Sequence, residues 1–213
     1  MNRILKAIRH PRAALLYTVL GKERYYHLMF SETCLSASNI LSPISSHLIT
    51  NTDIHEHLTT LYMLPSEFNC TTIVELGTRS GESTLALAYS AKQTGGKLYS
   101  FDLQDCPKAE QLISNANLTQ YWEFTQGDDL EIPWKGRIDF LFIDTSHGYQ
   151  HTLNELEKFE PFVKPHGIIA LHDSIAFPDV KRAVLQYSAQ RGYLRFYEYV
   201  NNSGLLVIFK DLD

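Results

Sequence analysis

Five acidic residues lie at or just after the ends of five apolar, strand-like segments of this chain. They are Glu75, Asp102, Asp128, Asp144 and Asp173. Because ligands of open parallel sheets bind beyond the carboxyl ends of the strands, we expect the five carboxylates to converge on one rim. Crowded carboxylates repel one another and raise each other's pKa unless a cation is present. The pattern therefore predicts a site for a cationic ligand.

The segments that carry these acids alternate with helical patterns. Strands are predicted at residues 72–76, 97–101, 121–125, 138–143 and 168–171, and helices at about 82–94, 149–160 and 178–191. The last two strands, 194–199 and 205–209, are joined by hairpin residues. This order predicts an α/β fold: a doubly wound, Rossmann-like, mostly parallel sheet with a C-terminal antiparallel hairpin.

The N-terminal part of the chain differs in charge from the rest. Residues 1–30 carry six lysines and arginines against one glutamate, although the whole chain has a net charge of −5. We expect residues 1–52 to form a helical or lid segment and residues 53–213 to form the Rossmann-like domain. The basic helix is suited to an acidic membrane surface, to covering a substrate site, to a second subunit, or to packing on its own domain. Asp53 and Glu56 have capping-box spacing and predict the start of a short helix that stops near Pro65.

Composition excludes several classes of function. A net charge of −5 and a pI of about 6.0 give no reason to expect nucleic-acid binding. The three cysteines lack any C-x-x-C spacing, which argues against a disulfide framework and against a cysteine zinc site. The lack of a disulfide pattern favours a reducing cytoplasm as the location of the protein. The apolar run at residues 13–21 is too short to span a membrane.

The stretch from Val74 to Thr84, VELGTRSGEST, resembles the first motif of class I S-adenosylmethionine-dependent methyltransferases. The resemblance implies a cofactor-binding turn that allows close backbone approach, with Glu75 pairing with the cofactor's ammonium group. Its implied cofactor residues are Glu75, Gly77, Thr78, Ser80, Gly81 and Ser83. Asp102 would accept the ribose hydroxyls, and Asp128 the adenine amino group. Arg79 stands where many members have glycine.

The second half of the chain is similar to sugar and antibiotic O-methyltransferases. Asp144-x-x-His147 matches a motif that supplies a magnesium ligand and a catalytic histidine in that group. The resemblance implies that Asp144 binds both metal and cofactor and that His147 is the base. Those enzymes complete the metal site with Glu-Asp, where this chain has His172 and Asp173. Imidazole favours zinc, iron or nickel, whereas magnesium prefers oxygen ligands.

These features together predict an S-adenosylmethionine-dependent enzyme. The expected reaction is methyl transfer to a hydroxyl of a small molecule or sugar, with His147 as base and with a divalent metal, magnesium by the resemblance. An amine acceptor and a homo-oligomer remain open. The alternatives are an NAD-dependent oxidoreductase, which fits worse because the G-x-G-x-x-G spacing is missing, and a methyltransferase-like binding protein without turnover.

Overall fold

The computed structural model describes residues 44–192 and 196–210 of the 213. Most of the expected N-terminal segment, including the basic residues 1–30, therefore lies outside the described residues. The described strands are β1 (Thr72–Leu76), β2 (Lys97–Asp102), β3 (Trp122–Gln126), β4 (Ile138–Ile143), β5 (Val163–His172), β6 (Phe196–Tyr199) and β7 (Leu205–Phe209). The described α-helices are α1 (Ser45–Leu48), α2 (Leu58–Glu67), α3 (Glu82–Thr94), α4 (Pro107–Asn115), α5 (Tyr149–Phe159) and α6 (Pro178–Arg191).

The seven strands form one sheet in the order β3-β2-β1-β4-β5-β7-β6. Strands β1 to β5 pair in parallel, and β7 is antiparallel to both β5 and β6. This arrangement confirms the predicted fold class. The chain runs from β1 outwards to β3 and then crosses to β4, which pairs with the other side of β1. The carboxyl ends of β1 and β4 therefore flank the point where a doubly wound sheet opens a crevice.

Strand β4 supports this crevice from the middle of the sheet. All six of its residues are buried, as its apolar sequence predicts for a strand covered on both faces. Leu141 and Ile143 pack in one cluster with Leu156 of α5 and Val184 of α6. Full burial of such side chains stabilises the fold by about 1.5–3 kcal/mol each. The strand that leads to Asp144 is therefore anchored in the core.

Two local features differ from the sequence predictions. The capping box is wrong: a 3-10 turn at His55–His57 precedes α2, and the Asp53 carboxylate instead accepts a hydrogen bond from the Arg79 guanidinium at 2.8 Å. Helix α4 is not among the sequence predictions; Pro107 occupies its first position, and only Ala109 and Ile113 of its residues are buried. None of the described helices is long and apolar enough to cross a membrane.

Candidate active site

A cavity of about 620 Å³ lies at the carboxyl edge of the sheet. A smaller cavity of about 240 Å³ shares with it four lining residues, Gly77, Arg79, Ser80 and Asp144. The larger cavity also contacts residues that follow β2 and β3, among them Asp102 and Asp129. The volume of the larger cavity falls within the range of about 300–1,000 Å³ that is typical of small-molecule sites. The predicted convergence of polar residues at this edge is therefore seen for Asp102 and Asp144.

The turn after β1 brings backbone into close contact with the end of β4. Gly77 has a φ of +89°, and a Cβ atom there would lie 1.9 Å from the carbonyl oxygen of Asp144. Gly81 has a φ of +87°, and its Cβ would lie 2.7 Å from the backbone of Ala109. Both positions therefore require glycine, and Thr78 and Ser83 of the same motif line the smaller cavity.

Asp102 anchors this turn to the end of β2. One carboxylate oxygen accepts the backbone N–H groups of Thr78 and Arg79 at 2.9 Å each, and the other accepts that of Gln104 at 2.9 Å. Burial alone would raise the pKa of Asp102, but these three N–H groups outweigh it and lower the pKa. The carboxylate is therefore ionised, and it retains acceptor capacity toward the cavity.

The structure does not bring Asp128 to the cavity wall. Its side chain is exposed and accepts the backbone N–H of Leu130 at 2.9 Å, which stabilises a local turn. The neighbouring Asp129 is buried and lines the larger cavity. The two adjacent acids point to different sides of the backbone, and the sequence alone does not show which of them faces the cavity.

Glu75 lies inside the protein rather than at a cavity wall. Its side chain is completely buried and accepts hydrogen bonds from the hydroxyls of Ser83, Thr84 and Ser100 at 2.6–2.8 Å. Burial raises the pKa of Glu75 to about 7, although the three hydroxyls oppose that shift. Through these hydrogen bonds Glu75 joins β1 to α3 and β2, and it lines neither cavity.

The predicted metal-binding trio does come together at the ends of β4 and β5. The Nδ1 atom of His172 lies 3.4 Å from Asp144 Oδ1 and 3.5 Å from Asp173 Oδ1. The other ring nitrogen, Nε2, donates to the carbonyl oxygen of Asn202 at 3.2 Å. Nδ1 is buried without a hydrogen-bond partner. An imidazole fixed through one nitrogen by a carbonyl, with the other aimed between two carboxylates, has the arrangement of a metal ligand.

His147 lies beside this trio. Its Nε2 is 2.7 Å from Asp173 Oδ2, and its ring stacks on Phe177 with a centroid distance of 3.8 Å. About one third of the side chain is exposed, and the preceding residue, Ser146, lines the larger cavity. Burial alone would raise the pKa of Asp173, but His172 and His147 outweigh it and lower the pKa. An ionised Asp173 therefore orients the His147 imidazole.

Groups from the segment before α2 and from the β6–β7 hairpin support this trio. His57 is buried, and its Nε2 lies 3.1 Å from the carbonyl oxygens of Asn201 and Asn202. Burial is the main cause that lowers the pKa of His57 to about 4, so the ring is neutral and donates. Its edge meets the ring of His172 at 5.6 Å. The hairpin carbonyl of Asn202 thus positions two histidines that are far apart in the sequence.

Comparisons with known proteins agree with this geometry. Residues 74–174 match a family model described as a methyltransferase domain. The fold resembles cofactor-bound Rv0187 from MTB, with a TM-score of 0.65, 17% identity and coverage of 95% of this chain and 96% of that one. It also resembles an O-methyltransferase from Bacillus cereus in complex with SAH, with a TM-score of 0.59, 19% identity and coverage of 93% and 97%.

A third solved structure is the O-methyltransferase TomG from Streptomyces achromogenes in complex with SAM. It has a TM-score of 0.60 and 14% identity, and the match covers 100% of both chains. The family match displaces the oxidoreductase alternative, and the matched segment contains both the turn after β1 and the trio at the ends of β4 and β5. The family model and these solved structures support a class I S-adenosylmethionine-dependent methyltransferase that resembles bacterial O-methyltransferases.

Proposed function

We propose that this enzyme transfers the methyl group of S-adenosylmethionine to a hydroxyl oxygen of a small polyhydroxylated molecule, such as a sugar. The observation that carries this proposal is the His147 imidazole, held by Asp173 at 2.7 Å beside the cluster of Asp144 and His172. A neutral hydroxyl is a weak nucleophile and needs a group that removes its proton. His147 is that base, and Asp173 orients it.

The two cavities suit the two ends of the cofactor. The larger cavity contains Asp102, whose remaining acceptor capacity is suited to ribose hydroxyls. The smaller cavity is lined by residues of both charges, including Arg79, Asp53 and Asp144. These side chains suit a methionine group, because its carboxylate pairs with a guanidinium and its ammonium with carboxylates. Gly77 and Ser80 line both cavities and would hold the middle of a cofactor that occupies both.

Asp144, His172 and Asp173 fit a divalent metal ion. Their donor atoms lie within 4.8 Å of one another, and the unpartnered Nδ1 of His172 is aimed at the two carboxylates. A bound metal would act as a Lewis acid that lowers the pKa of the acceptor hydroxyl. The imidazole in this set favours a transition metal such as Zn²⁺, Fe²⁺ or Ni²⁺ over Mg²⁺. Asp173 then serves two purposes, as a metal ligand through one oxygen and as the partner of His147 through the other.

The proposal is tested by transfer of a labelled methyl group to a panel of sugars, glycosides, catechols and amines. We expect transfer to hydroxyl acceptors that stops with EDTA and recovers better with Zn²⁺ or Fe²⁺ than with Mg²⁺. Asp173→Asn should abolish the recovery, whereas Asp179→Asn, an exposed acid on α6, should behave like the wild type. Transfer to amines alone would contradict the hydroxyl assignment, and full activity in EDTA would contradict the metal assignment.

A further inference from the structure

A second cluster of metal-ligating side chains borders the same cavity. It consists of Asp129, which follows β3, together with His151 and Glu155 of α5. His151 Nε2 lies 3.4 Å from Glu155 Oε1 and 3.8 Å from Asp129 Oδ1. Because residues four apart share one face of a helix, α5 presents His151 and Glu155 together toward Asp129. This cluster shares no residue with Asp144, His172 and Asp173.

Two carboxylate oxygens of this cluster are buried without a partner. They are Asp129 Oδ1 and Glu155 Oε2, on side chains of residues that are 7% and 0% exposed. Burial of an unpartnered carboxylate oxygen is costly, so such an atom calls for a ligand. The hydroxyl of Thr145 donates to the other oxygen of Glu155 and fixes the orientation of the carboxylate. The Glu155 carboxylate is therefore already oriented to bind a ligand through its unpartnered oxygen.

The charges around the cluster also favour a cation. Burial, the largest cause, raises the pKa of Glu155 to about 7, and it also raises the pKa of Asp129. Asp128 adds a further negative charge that acts on Asp129 and on His151. The nearby Lys158 directs its ammonium group to the backbone carbonyl oxygens of Asp129 and Ile132, at 2.5 and 2.6 Å. A divalent ion would offset the crowded carboxylates.

We propose that Asp129, His151 and Glu155 form a second divalent-cation site, which takes a transition-metal ion such as Zn²⁺. One imidazole nitrogen with two carboxylates is a donor set that suits zinc better than magnesium or calcium. Three protein ligands leave a coordination position free. Asp129 and His151 line the 620 Å³ cavity, so that position is open to the cavity. This inference is independent of the proposed methyl acceptor.

The test is competition for Zn²⁺ between a chromophoric chelator and the full chain. We expect His151→Ala and Glu155→Gln each to weaken one zinc site at least about tenfold. Glu157→Gln, an exposed acid on the same helix, should leave that site unchanged. Asp173→Asn distinguishes this site from the trio at the ends of β4 and β5. It should leave unchanged the zinc affinity of the site that contains His151 and Glu155. Thermal unfolding adds a second readout, since bound Zn²⁺ raises the Tm of the wild type more than that of either variant.

His151→Ala keeps the proposal testable if Glu155→Gln does not fold, because His151 is partly exposed. Wild-type zinc affinity in His151→Ala would overturn the proposal. So would an unchanged zinc affinity combined with weaker S-adenosylmethionine binding, since the cluster would then belong to the cofactor pocket. If Asp173→Asn removed all saturable zinc binding, the proposal would be overturned as well.

Discussion

Replacement of His147 by alanine is expected to lower kcat by about 10²–10⁴-fold, the usual contribution of a positioned general base. Affinity for S-adenosylmethionine should not change, because His147 contacts Asp173 and Phe177 beside the cavity rather than the turn after β1. The measurement is the rate of methyl transfer at saturating acceptor, together with a titration of the cofactor.

His166→Ala is the matched control, because this exposed histidine lies on β5 away from the trio of Asp144, His172 and Asp173. It should leave both kcat and cofactor affinity at wild-type values. Wild-type turnover in His147→Ala at saturating acceptor would remove His147 as the base. A loss of cofactor affinity equal to the loss of rate would assign His147 to binding instead.

Replacement of Gly77 by alanine should cause the largest loss of stability among the glycine variants considered. A left-handed conformation costs a non-glycine residue about 1–2 kcal/mol. Overpacking adds about 1–3 kcal/mol, because the new Cβ would lie 1.9 Å from the Asp144 carbonyl oxygen. We expect the free energy of unfolding to fall by about 2–5 kcal/mol in urea titrations. Because Gly77 lines both cavities, cofactor binding should also be lost.

Gly95→Ala separates the two causes. Gly95 ends α3 with a φ of +69°, and a Cβ there would have nothing within 4 Å. The Gly95→Ala variant should therefore lose only about 1–2 kcal/mol of unfolding free energy, the cost of the left-handed conformation. If Gly77→Ala were no less stable than Gly95→Ala, the close approach between the turn and β4 would not constrain the site.

Much of the fold follows from local patterns. The apolar run of β4 has the bounds that its sequence predicts, and Gly95 and Gly192 end the helices α3 and α6 as expected. These features depend on neighbours in the sequence, on burial period and on glycine geometry. Helix α4, which begins at Pro107 and buries only Ala109 and Ile113, is not among these predictions.

The site is less predictable because its contacts join distant segments. The motif places Glu75 at the end of β1, but hydroxyls from α3 and β2 enclose it, and this contact is not visible in the motif. The carbonyl of Asn202, which holds the His172 ring, comes from a hairpin thirty residues later in the chain. By contrast, Asp144, His147 and Asp173 were found through their resemblance to a known motif, and the structure brings them together.

The most direct test of the central claim is calorimetric titration of the purified full chain with S-adenosylmethionine. We expect saturable binding that Asp102→Ala weakens, because Asp102 both lines the larger cavity and holds the turn after β1. Asp128→Ala should bind like the wild type, because that carboxylate lies outside the cavity wall. Absence of binding to the folded protein, or equal losses in both variants, would contradict the cofactor site described for this enzyme.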